Sequence, residues 1–112
     1  MDHLIELAKR LGKQMAAHEN SQLLKQAQQN VDSDALAKEL VESYQKQAQK
    51  ITDLEEQQKP IEIEDKHQLS DLQQKIATHA GLAELTRRQV DFLDMMRKIR
   101  QAIDSELEIT LE

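Results

Sequence analysis

From Ser33 to Gln58 the chain runs for twenty-six residues without a proline or a glycine, and Lys59-Pro60 closes the run. Its apolar positions, Leu36, Leu40, Val41, Tyr44, Ala48, Ile51 and Leu54, recur at steps of three and four once Leu40 and Val41 are taken together. That is the period of an α-helix, and it lays one apolar stripe along a rod of about 39 Å. Such a rod needs a partner face, which must come from the rest of the chain or from another chain.

The rest of the chain is poor material for a sheet. Aromatic residues make up 2% of it, Tyr44 and Phe92 alone, whereas Gln, Glu, Lys, Leu and Ala are plentiful and favour helix. With 112 residues the chain is one domain's length. The expected architecture is all-α, a single domain over 1–112, arranged as an antiparallel hairpin or bundle of about five helices at 2–17, 21–30, 33–58, 65–78 and 82–107.

Taken in order, Asp2 is expected to cap the first helix, which turns Leu4, Ile5, Leu7, Ala8, Leu11 and Met15 to one side. Gly12 interrupts it, through close approach of another helix or simple tolerance. Asn20 or Ser21 offers a cap for a short second helix with Leu23, Leu24, Ala27 and Val31 inward. Asp32 or Ser33 is expected to cap the long rod, with Asp34 in its first turn, where negative charge is favourable. Pro60 stops the rod by Gln58 or Lys59, and Ile61 and Ile63 are expected in a short extended piece folded over the helix ends. The fourth helix presents Leu69, Leu72 and Ile76. His79-Ala80-Gly81 marks a break or tight kink in which Gly81 is free to take a left-handed or otherwise strained conformation. The fifth carries Leu82, Leu85, Phe92, Leu93, Met96, Ile99, Ile103 and Leu107. The simplest packing sets the rod against helices four and five, with the amino-terminal pair beside one end. The tail from Glu108 is left unassigned, and Leu111-Glu112 reads equally as a native ending or a cloning remnant.

The formal charge of −6 argues against a general phosphate-backbone binder, hence no DNA, while leaving a local RNA contact open. Zero cysteines exclude disulfides, thiolate metal sites and a cysteine nucleophile in these residues. No apolar run reaches the roughly eighteen residues of a membrane span, and no signal-peptide core follows Met1. A cytoplasmic protein is the expectation.

Chemistry is hard to find. His3, His18, His67 and His79 share no ligand spacing, and Glu55-Glu56, Glu62 with Glu64, and Glu106 with Glu108 read as solvated acids. No catalytic residue, metal site or cofactor is expected. The distinctive stretch is in the fifth helix, where Arg87, Arg88, Arg97, Lys98 and Arg100 stand around Phe92, Met95, Met96 and Ile103. The cations read as a solvated rim or as a docking surface for an acidic protein or RNA. The apolar arc is wider than one seam needs, which points to a dimer interface or a partner groove. The candidate partner or oligomer surface is therefore Arg87, Arg88, Phe92, Met95, Met96, Arg97, Arg100 and Ile103.

The order of elements carries a resemblance. Glu19-Asn20-Ser21-Gln22-Leu23-Leu24-Lys25-Gln26-Ala27 precedes a helix break, Asp32-Ser33-Asp34-Ala35-Leu36-Ala37-Lys38-Glu39-Leu40 opens the long helix, and the proline loop leads to Leu69-Ser70-Asp71-Leu72-Gln73. With the opening amphipathic helix, this resembles the YlbF/YmcA family of small helical bacterial regulators of competence and biofilm formation. His79-Ala80-Gly81-Leu82 stands where that family often has an asparagine and a proline. The resemblance implies a cytoplasmic helical protein, often dimeric, that acts through other proteins, since the best-known members form a complex with a third protein and modulate ribonuclease Y. Some members supply cysteines to iron–sulfur clusters, and this chain, without cysteine, departs from them. The family offers no catalytic residues; the positions carried over are structural, Ala27, Asp34, Leu36, Leu40 and the apolar side of the fifth helix.

The preferred function is a non-enzymatic regulatory or adaptor protein acting through protein contacts, with a homodimer as the expected oligomer and other proteins as partners, a ribonuclease complex being the candidate the resemblance offers. The alternatives are an RNA-binding accessory protein and a helical chaperone-like holdase.

Overall fold

The computed structural model describes residues 1–109, and all of its regular structure is helix: α1 (Asp2–Ala17), α2 (Glu19–Asp32), α3 (Ala35–Glu56), α4 (Ile63–Thr78) and α5 (Ala80–Leu107). The all-α architecture of five helices is as the periodicity implies. What the periodicity leaves open is how abruptly the helices join.

Three of the four joints are one or two residues long. His18 alone separates α1 from α2, Ser33 and Asp34 separate α2 from α3, and His79 alone separates α4 from α5. At each joint one residue in extended geometry turns the chain and its side chain receives a free backbone amide. His18 Nδ1 accepts from Asn20 N at 3.0 Å, Asp34 Oδ1 from Ala37 N at 3.1 Å, and His79 Nδ1 from Leu82 N at 3.2 Å. These caps correct the expected ones. Asn20 and Ser21 lie inside α2, and Ser21 Oγ instead donates to Met15 O. Asp32 and Ser33 are at the end of α2, so that Asp34 is the cap of α3 rather than part of its first turn. Asp2 is already helical, behind Met1.

The joint between α3 and α4 is longer. Gln58 takes a left-handed conformation, φ 57°, so that Lys59 N donates to Leu54 O at 2.9 Å and Gln58 N to Glu55 O at 3.1 Å. This paired closure satisfies the last carbonyls of α3, with Pro60 just beyond it. Helix α4 then begins two residues before the expected start. Ile63 falls in its first turn and is 73% exposed, so it does not fold over the helix ends; Glu62 is the extended residue before it. Early helix geometry is favourable there because Glu64 and Asp65 sit at the positive end of the helix.

Gly81 is helical with negative φ, contrary to the expected left-handed turn. Its lack of a side chain serves the cap instead, since a Cβ there would lie 3.1 Å from His79 Cε1. Around Gly12 a Cβ would meet nothing within 4 Å, so simple tolerance explains it.

The long rod α3 packs on α4, as an antiparallel hairpin across the Pro60 loop. The chief partner of α5 is α2, not α3. This corrects the expected pairing, and its cause is the break at Asp34. The break ends the rod where α5 begins and hands α5 to α2. Val31, Ala37 and Leu82 form the buried core where α2, α3, α4 and α5 meet, with Leu40, Val41, Ile76 and Leu85 packed around them. Ala37 is fully buried, and its small size lets the helices close on one another there.

Below the core, Asp65 is buried and takes a hydrogen bond from Lys50 Nζ at 2.8 Å, while its backbone carbonyl accepts from Gln47 Nε2 at 2.8 Å. These contacts tie α3 to α4 near the proline loop. The Lys50 ammonium holds the Asp65 carboxyl below the usual carboxylate range, and the same bond raises the Lys50 ammonium. The resulting molecule is elongated, 55 × 36 × 21 Å, with a radius of gyration of 19.7 Å, against about 13 Å for a compact chain of this length. The expectation about Leu111 and Glu112 lies outside the described residues.

Candidate partner-binding surface

Helix α5 carries two apolar stripes. One, through Leu85, Phe92, Met95 and Ile99, is half-buried, on the side facing α2. The other is open to solvent, with Val90 59% exposed, Leu93 64%, Met96 43%, Ile103 47% and Leu107 56%. The eight candidate residues are thereby divided. Phe92 sits at a shallow cleft with Gly12, Met15 and Ala16 of α1 and Ser21 of α2. Met95 is half-buried, whereas Met96 and Ile103 stand on the open stripe. Val90, Leu93 and Leu107 also belong to that stripe. Leu93 and Leu107 stand among the apolar positions of the fifth helix in the sequence but outside the eight candidate residues, because periodicity alone does not say which of them a neighbouring helix covers.

The cations do not form a free positive patch. Arg87 and Arg88 meet Glu84 at 2.9 and 2.6 Å, and Arg88 also reaches Asp91 at 3.8 Å. Arg97 and Lys98 share Asp94 at 2.6 and 3.0 Å, and Arg100 faces Asp104 at 3.5 Å. Each pair is three or four residues apart on one helix, the spacing at which side chains meet. Arg97, then Lys98, holds the Asp94 carboxyl below its ordinary range. The field is thus locally balanced, and the apolar stripe dominates the surface.

A second apolar feature adjoins it. A groove of about 630 Å³ runs between α3, α4 and α5, with Val41, Tyr44, Ile76, Leu82, Ala83 and Thr86 among its walls. At the opposite end of the fourfold junction the two joints are latched together. His79 Nε2 donates to Asp34 Oδ2 at 3.1 Å, while the two caps occupy the other atom of each side chain. The Ala37 amide, with His79 contributing less, keeps the Asp34 carboxyl below its ordinary range. Among the described residues no three His, Cys, Asp or Glu side chains gather to hold a metal ion. No described helix is long and apolar enough to cross a membrane.

The sequence profile of the family described as control of competence regulator ComK, YlbF/YmcA, matches residues 4–108. The chain belongs to the YlbF/YmcA family. Among known structures, its fold is similar to that of a chain in the crystal structure of Bacillus subtilis RicA in complex with RicF. The TM-score is 0.85 over 94% of this chain and 93% of that one, at 13% identity. At that identity the likeness shows the fold, and the YlbF/YmcA assignment rests on the profile. No curated protein matches the sequence. In the YlbF/YmcA frame the residues carried over from the resemblance are structural: Ala27 is buried and Asp34 caps α3, whereas Leu36 is 58% exposed.

Proposed function

We propose that this chain is a non-enzymatic adaptor that acts in the control of RNA processing as a subunit of a ribonuclease-containing complex, and that it self-associates as a dimer. The observation that carries the reading is the open stripe on α5, in a molecule whose surface is too large for its mass. The accessible surface is 9077 Å², nearly one and a half times the roughly 6,300 Å² expected of a compact monomer of this size. Contiguous exposed apolar surface of this kind marks contact with another protein. Membership of a family of regulators and likeness to a chain of the RicA–RicF complex support protein contact as the mode of action. The neutralised arginines of α5 favour this reading over RNA binding, because salt-sensitive RNA retention needs a free positive field.

Tagged protein purified gently from its own host tests the reading. The expected result is one defined protein partner, with a ribonuclease in the same assembly, lost from Met96→Glu/Ile103→Glu. Recovery of the chain alone, or recovery unaffected by that double substitution, overturns it.

A further inference from the structure

Among the described residues, two helical surfaces have no apolar partner. Every residue from 1 to 14 is exposed, including the apolar face of Leu4, Ile5, Leu7 and Leu11, and α1 buries none of its residues. Toward the other end every residue from 101 to 109 is exposed, so the last turns of α5 run past α2 without a neighbour among the described residues. A short helix with nothing packed on it is marginal in water. Both surfaces are amphipathic, and each is the kind of face the other lacks.

Their charges are complementary. Arg10 and Lys13 on α1 have no acidic partner among the described residues, and Lys9 has only Glu6 at 3.8 Å. On the end of α5, residues 101–109 carry Asp104, Glu106 and Glu108 and no cation, while Arg97 and Lys98 beside Met96 are paired with Asp94 and Arg100 with Asp104. The surface available is ample. A stable interface removes about 800 Å² per partner, well inside the excess of 9077 Å² over the roughly 6,300 Å² of a compact chain. Within the protomer α1 packs chiefly on α2, beyond the turn at His18.

We propose that α1 of one copy lies along the last turns of α5 of a second copy, around Met96, Ile103 and Leu107, and that a two-fold axis repeats the contact in reverse. The basic half of α1 then faces the acidic end of α5, and both orphan surfaces are covered by one operation. This rests on the self-association proposed above and states how it is built.

The absence of cysteine makes the test clean. Leu7→Cys and Ile103→Cys are made in separate chains, mixed, and joined with a short bismaleimide, while solution mass is measured across a concentration series. The expected result is a cross-linked species containing one of each chain. Leu4→Glu with Leu11→Glu is expected to weaken dimerisation about a hundredfold or more with helix content unchanged, since both leucines are exposed in the protomer. A dimeric mass without the mixed cross-link, or a dimer indifferent to the double substitution, overturns the exchange and leaves self-association standing. A single-chain mass at every concentration overturns both. A mass that becomes dimeric only when a different protein is added also overturns the exchange.

Discussion

His79 Nε2 lies 3.1 Å from Asp34 Oδ2, joining the single-residue break between α4 and α5 to the break between α2 and α3. Each residue also caps its own helix, His79 through Leu82 N and Asp34 through Ala37 N. Because His79 Nδ1 accepts a hydrogen bond, the network assigns the ring proton to Nε2, which donates to the carboxylate. One pair of side chains thus starts two helices and holds the two bends together above the core. His79→Ala removes both roles, whereas His79→Asn keeps a capping side chain too short to reach Asp34. Thermal unfolding is expected to show a fall in midpoint for both variants, larger for alanine. Equal midpoints for alanine and wild type contradict the joint role.

Asp65 and Lys50 set the dependence on pH at the other end of α3. The carboxyl of Asp65 is held below its ordinary range, so its contribution is complete above about pH 4 and is lost as pH falls through the lower folded value. Asp34 and Asp94 act with the same sign. Lys50 is raised, so its contribution is complete below the ordinary lysine value and is lost as pH climbs through the higher folded one. Urea midpoints measured from pH 6 downwards are expected to fall less steeply in Asp65→Asn than in wild type, from a lower plateau.

Gln58 occupies a left-handed position that a β-carbon disfavours. Gln58→Gly keeps the paired hydrogen bonds to Leu54 and Glu55 and removes the strain. A gain of about 0.5–1 kcal/mol in unfolding free energy is expected, read from urea denaturation. A loss would show that the side chain of Gln58 matters more than its backbone.

Two leucines one stretch apart on α5 separate folding from contact. Leu82 is 5% exposed in the core, and Leu82→Ala is expected to cost about 2–4 kcal/mol. Leu93 is 64% exposed on the open stripe, and Leu93→Ala is expected to stay within about 0.5 kcal/mol in the protomer while weakening partner binding. Chemical denaturation at low concentration, paired with a binding assay, reads both.

Helix number, helix type and approximate limits were legible because three- and four-residue spacing survives in every segment, and Pro60 bars the long helix from running past Lys59. The joints were not. His18 and His79 are outside the usual set of capping residues, and only the fold shows each imidazole turned back on its own helix. Gly81 looked like a turn because its real constraint, the ring of His79 at 3.1 Å from a would-be Cβ, is a contact that sequence does not display. The pairing of α5 with α2 depends on the bend at Asp34, and periodicity carries no information about bends. The same gap kept Leu93 and Leu107 out of the candidate surface, although the excess width of the apolar arc was visible in the sequence.

The central claim is that the open faces of α5 and α1 are covered in the working protein, and amide hydrogen exchange tests it most directly. At a concentration where the protein is assembled, amides of residues 96–107 and 4–15 are expected to exchange slowly, and to lose that protection on dilution or in Met96→Glu/Ile103→Glu. Exchange in both segments at the rate of an unsupported helix, whatever the concentration or partner supplied, would contradict it.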